Sequence, residues 1–191
     1  MKTARLIPVI LAGLFAVPAF AQSTATEVQR NVQQQQRIEA GLQSGQLTTR
    51  EAAKLEREEA HVNRAQANAL KDGSLSDAEK RRIEKMQNRV SRDIATEKHD
   101  AQTGNPDSAS SRRMQADVQR NINQQQRTEN GIRNGSLTNH EVAGIERGQA
   151  RVDRSEARAG RDGHVGRTEQ MRVQRTENRQ SRHVHHEKHN G

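Results

Sequence analysis

Apolar residues return along this chain at intervals of three, four and seven, separated by long polar stretches. Val28 and Val32 lead towards Ile38 and Leu42; Leu55, Val62 and Ala69 are spaced by seven, as are Ile83 and Val90. On a helix that spacing makes one narrow apolar stripe, nearer to a coiled-coil seam than to the broad face of a globular helix. Helices are predicted over 24–43, 48–71, 76–99, 112–133, 138–161 and 167–188.

One octet recurs between them: SGQLTTRE (44–51), DGSLSDAE (72–79) and NGSLTNHE (134–141). Glycine past the end of a helix takes up a left-handed conformation without steric penalty, and Gly45, Gly73, Gly135 and Gly163 fit that role. The leucine two residues on can fold back over the helix just ended. Thr48, Ser76 and Thr138 then stand as N-caps, and Glu51, Glu79 and Glu141, three residues later, can return the bond and close capping boxes worth about 1 kcal/mol each. The octet reads as helix stop followed by helix start.

Residues 28–101 align without a gap onto 118–191, with 33 of 74 positions identical. VQRNVQQQQRIEAG (28–41) corresponds to VQRNINQQQRTENG (118–131), and the join DAQTGNPDSASS (100–111) has a linker's composition. The expected organisation is a leader at 1–21, a helical unit at 22–101, a linker at 102–111 and a second unit at 112–191. The fold class is all-α: two antiparallel three-helix bundles, or one elongated helical array, each with a thin core. The pattern leaves open whether the two units pack together. The second copy exchanges Ile38 for Thr128, Leu70 for Gly160, Met86 for Thr176 and Val90 for Gln180, and carries Gly144 and Gly148 inside a helix, each costing about 1 kcal/mol relative to alanine. It is expected to be the less stable half, with residues 164–191 frayed.

Composition sharpens this picture. Lys2 and Arg5, the apolar run Leu6 to Val17 and the small-x-small triplet at 19–21 have the form of a secretory leader, with an expected destination in the bacterial periplasm or beyond. Residues 22–191 contain no Phe, Trp, Tyr or Cys and only one proline, Pro106, so disulfides are excluded there. Only 25 of those 170 residues are Val, Ile, Leu or Met, too few for a wide globular core. Residues 22–101 carry 14 basic and 13 acidic groups, and residues 102–191 carry 16 and 11, with every base in the second set but Lys188 an arginine.

Candidate chemistry is sparse. DGSLSDAE resembles the second half of a calcium-binding EF-hand loop, but Leu70 stands where an oxygen ligand is required, and calcium is not expected there. His183, His185, His186 and His189 cluster at the end of the chain; the spacings of three and four suit a shared copper, nickel or zinc ion, with Glu187 as an oxygen donor, or else a solvated basic tail. The net positive charge is compatible with acidic partners or anionic lipid. Nucleic acid is disfavoured by the lack of aromatic stacking groups and by export, and ordinary solvated faces account for much of the charge. The glutamine runs at 33–36 and 124–126 suggest no mechanism. No nucleophile motif or phosphate loop appears, so catalysis is not expected.

The elements LTTRE (47–51), LSDAE (75–79) and LTNHE (137–141) resemble the LTxxQ motifs of the CpxP/Spy group of periplasmic stress proteins, with Glu replacing the family's Gln. The resemblance implies an exported, helical, basic protein acting on unfolded periplasmic clients, with metal binding by histidine-rich ends in some relatives. In overall character the chain is also similar to exported helical-repeat proteins of proteobacteria. The expectation is therefore a non-enzymatic interaction protein, chaperone-like or linked to envelope stress, engaging unfolded or acidic periplasmic proteins. A transition-metal binding protein and a structural envelope component are the alternatives.

Overall fold

The structure, a computed structural model, describes residues 19–189, with side chains from residue 23 onwards. The expected leader, apart from its last three residues, lies outside the described residues. The fold is all-α: six helices run Ala19–Ser44 (α1), Thr49–Ala69 (α2), Asp77–Lys98 (α3), Ala109–Arg133 (α4), Asn139–Ala159 (α5) and Arg167–Glu187 (α6), with a short 3-10 turn at Leu70–Asp72. No helix among the described residues is long and apolar enough to cross a membrane.

The helix boundaries follow from local chemistry. Thr48, Ser76 and Thr138 each accept the backbone N–H three residues on, and Glu51, Glu79 and Glu141 accept the N–H of their cap in return. Gly45, Gly73, Gly135 and Gly163 have φ of 74°, 87°, 75° and 90°. Leu47 donates its N–H to the Gly41 carbonyl at 2.9 Å and folds back so closely that a Cβ on Gly41 would lie 2.6 Å from the leucine side chain. Leu137 repeats this over Gly131. Helix α4 begins at Ala109, three residues ahead of the sequence expectation, because Ser108 accepts the Ser111 N–H and starts the helix within the serine run.

The helices do not pair with their chain neighbours first. α2 lies along α5, and α1 along α4, so each helix meets its counterpart ninety positions away. Both pairs are antiparallel: Arg50 at the start of α2 reaches the Asp162 carbonyl beyond α5, and Asn139 at the start of α5 reaches the Gly73 carbonyl beyond α2. Arg133 at the end of α4 likewise meets Gln29 near the start of α1. α3 covers α1 and α2, and α6 covers α4 and α5. The fastenings repeat, with Arg30 on Asn88 and Arg120 on Asn178, and Arg37 on the Ser91 carbonyl and Arg127 on that of Ser181.

Small residues make the close pairing possible. Ala52, Ala53, Ala60, Ala67 and Ala69 of α2 are buried, as are Ala143, Ala150, Ala157 and Ala159 of α5. Two apolar clusters result, each drawn from both halves of the chain: one includes Leu42, Leu47, Leu55, Met114 and Val118, the other Val28, Leu70, Ile83, Ile132 and Ile145. The glycines of the second half belong to this packing. Gly148 leaves room for Gln180, which crosses it to donate to the Ile145 carbonyl at 2.9 Å. Gly160 receives Ala53 and Met114. Helix α6 is anchored by buried Val173, Glu177, Gln180 and Val184.

Candidate functional site

Along the α2–α5 interface, the stretch between Leu55 and Ala69 on one helix and between Ile145 and Ala159 on the other is lined by polar residues. Glu56, Glu59, Asn63 and Gln66 from α2 face Glu146, Gln149, Asp153 and Glu156 from α5, and all eight are buried. Within each helix the spacing is three, four, three, so each set occupies one stripe.

Amides organise part of the seam. Asn63 donates to Asp153 Oδ2 at 2.7 Å and Gln149 to Asp153 Oδ1 at 3.0 Å. Gln35 of α1 donates to Glu56 Oε2 at 3.0 Å, and Asn121 of α4 donates to Glu156 Oε2 at 2.7 Å. Asn31 donates to both Asn63 and Gln66 and accepts from Gln87 of α3, extending the network across four helices. The other acceptors are unsatisfied: Glu56 Oε1, Glu156 Oε1 and both oxygens of Glu59 meet no donor from the protein.

None of these five acids forms an ion pair among the described residues. Removing a carboxylate from water without a cation strongly disfavours its charged form. Burial, reinforced by Asp153, therefore raises Glu146 to about 8. Glu59 and Glu156 are raised well above the carboxylate range by burial and then by the neighbouring acids, of which Glu56 is the strongest influence on each. Burial also raises Glu56 and Asp153. Nearby, Asp117 rises to about 8 through burial and Glu177, with Arg120 opposing; Glu177 rises to about 7 through burial despite its pairing with Arg120 at 3.2 Å.

The opposite face of the same helix pair is basic. Arg147, Arg151, Arg154 and Arg158 recur at intervals of four and three, which places them in one row on α5, turned away from the buried acids, and Arg161 follows just past the end of the helix. Arg57 and His61 of α2 join Arg154, Arg158 and Arg161 around an open cleft of about 410 Å³, whose remaining lining residue is Ala157. Among the described residues, none of these arginines is held in an ion pair.

The terminal histidines lie on and just past α6. His183 is half-buried above Gly144, with Nε2 3.1 Å from Glu187 Oε1. His185 and His189 are exposed, their ring centroids 4.2 Å apart, and His189 Nδ1 lies 2.6 Å from the His185 carbonyl oxygen. His186 is exposed and accepts the His189 N–H through its carbonyl. Among the described residues, three ligand atoms come within 4.8 Å of one another in two groups, Glu51 with Glu97 and Asp100, and Glu56 with Asp153 and Glu156; neither contains a histidine.

Sequence reasoning missed the buried acids. Their signal was present as a second heptad stripe, offset by one residue from Leu55 and Val62 and from Ile145 and Val152. Acids beside a thin apolar stripe ordinarily face water, and only the partner helix reveals that this stripe is enclosed.

No family model matches this chain, and no curated protein or solved structure matches it either.

Proposed function

We propose that this chain is a non-enzymatic interaction protein, exported by its leader to the periplasm or beyond, that engages acidic or partly unfolded proteins through the arginine face of α2 and α5. The observation that carries the reading is the segregation of charge on α5. Glu146, Asp153 and Glu156 point inward to the seam, while Arg154 and Arg158, with Arg161, Arg57 and His61, line an exposed cleft containing no carboxylate. Such a surface attracts anionic polypeptide over roughly the Debye length, about 8–10 Å near physiological salt, and its attraction weakens as salt rises. Arginine also suits the task because its planar fork binds carboxylates in bidentate fashion. A chaperone-like role in envelope stress fits a face that recognises charge rather than one shape.

The deciding experiment measures aggregation of an acidic and of a basic client, each partly unfolded, at low and high salt. The expected result is suppression for the acidic client at low salt, lost at high salt and lost in the triple variant R57E/R158E/R161E. No suppression at low salt, or equal suppression of both clients, overturns the reading. Fractionation of cells expressing the full chain tests export.

A second reading, transition-metal binding at the end of α6, is favoured by the approach of His185 to His189. Copper or nickel titration of the full chain, compared with the H185N/H189N variant, decides it; unchanged binding removes it.

A further inference from the structure

Glu56 of α2 and Asp153 and Glu156 of α5 each place one carboxylate oxygen within 4.8 Å of the other two, and all three residues are buried. An ion at the centre of three atoms no farther apart than that lies within about 2.8 Å of each. Calcium–oxygen bonds of about 2.3–2.6 Å need only a small inward adjustment from that span, whereas magnesium at about 2.0–2.1 Å needs a larger one. We propose that Glu56, Asp153 and Glu156 bind a hard divalent cation of calcium size at the middle of the α2–α5 seam.

A second observation points to the same place. Glu59 is fully buried one turn from Glu56, neither of its oxygens meets a donor, and its strongest electrostatic neighbours are Glu56 and Asp153. A buried carboxylate one turn from the three-acid cluster is accounted for by a positive charge held within that cluster. Around it, the amides of Gln35 and Asn121 turn their NH2 groups onto Glu56 and Glu156, and their carbonyl oxygens are buried without partners. A half-turn of either amide exchanges its donor for an oxygen ligand. The donors are all oxygen, which selects calcium, manganese or magnesium over the copper, nickel and zinc that imidazoles favour. Two charges on the ion balance part of the acid set, leaving Glu59 and Glu146 to carry protons. The site lies within helices, not at the octet turns, and does not involve the terminal histidines.

The test uses the full chain, stripped with EDTA and then exposed separately to calcium, manganese and magnesium chloride at neutral pH. The expected result is about one calcium per chain retained through dialysis, and a melting temperature that rises with the logarithm of calcium concentration. Both effects are expected to vanish in E156Q and in D153N, and to persist in the variant H183N/H185N/H186N/H189N. Glutamine and asparagine keep the volume of the protonated acids, so these variants retain a filled seam. If one of them fails to fold, calcium content of the unmodified chain decides alone. A chain that retains no calcium, and whose melting temperature none of the three ions changes, overturns the proposal in favour of protons alone. Calcium retention that survives in both E156Q and D153N overturns it as well.

Discussion

Asn63 and Asp153 stand ninety positions apart and hydrogen-bond to each other across the α2–α5 interface at 2.7 Å. The two occupy the same place in their respective halves of the chain. The bond therefore joins one half to the other at the centre of the molecule, and does so with a polar pair where an apolar pair is usual.

Removing one partner of this bond is expected to cost more than removing both. Asn63→Ala strips a donor from buried Asp153 and an acceptor from Asn31. A loss of about 1–3 kcal/mol is expected, because a buried polar group left unsatisfied carries its full desolvation penalty. The double variant N63L/D153L, in EDTA, should recover most of that loss, since an apolar pair of similar volume removes the buried charge as well. Urea unfolding of the single and double variants measures the difference; a double variant less stable than N63A would contradict it.

The two glycines inside α5 should respond differently to alanine. A Cβ on Gly148 collides with the Gln180 side chain, whereas one on Gly144 only touches His183 at 3.4 Å. Gly148→Ala is expected to destabilise by about 1–3 kcal/mol through overpacking, despite alanine's better helix propensity. Gly144→Ala should be neutral, or stabilising by up to about 1 kcal/mol. Thermal denaturation of the pair checks the order, and similar effects at both positions would show that Gln180 moves aside freely.

Gly45 and Gly135 hold equivalent turns with unequal surroundings. Both have positive φ, but a Cβ on Gly45 also lies 2.8 Å from the Gly104 carbonyl oxygen, while nothing lies near that of Gly135. Gly45 moreover accepts the Gly104 N–H at 2.8 Å, which docks the linker onto the first turn. Alanine at 135 should cost about 1–2 kcal/mol from backbone strain, and alanine at 45 clearly more. Equal losses would mean that the linker adapts.

Asp117 gives the protein a pH dependence of definite sign. Glu177 of α6 faces it with like charge, Arg120 of its own helix opposes that effect, and Glu56 and Glu156 lie close enough to feel its charge. Its folded-state value, about 8, lies above its ordinary value of 3.8, so the folded chain keeps a proton that the unfolded chain releases. That contribution is fully present below about pH 4 and is lost as pH rises through about 8. Asp117→Asn removes this contribution and leaves that of the other buried acids, so in EDTA the variant should gain on the unmodified protein steadily from pH 5 to pH 8. Urea midpoints at four pH values measure this. The opposite trend would place an ionised Asp117 against Arg120.

Local rules made much of the fold legible. The boundaries of α2, α3 and α5 lie within two residues of the expected helices, because Thr48, Ser76 and Thr138 with their glutamates act within a single turn. Counting Val, Ile, Leu and Met underestimated the core, since alanine supplies much of the contact between α2 and α5. Gly148 looked like a defect within α5 until Gln180 was found lying across it. The row of arginines on α5 could be read from its spacing, whereas the burial of Glu56, Glu59, Asp153 and Glu156 could not.

The amino-acid sequence by itself determined the helices, their stops and starts and the ninety-residue correspondence between the halves. These depend on backbone conformation, capping and periodicity, which act over a few residues. The tertiary structure alone decided that each helix lies against its distant counterpart, and hence which polar stripe is enclosed and which faces water. A glutamate on a helix has the same sequence signature in either place. Its chemistry, a solvated charge or a buried acid needing a proton or a cation, is set by the helix that packs against it.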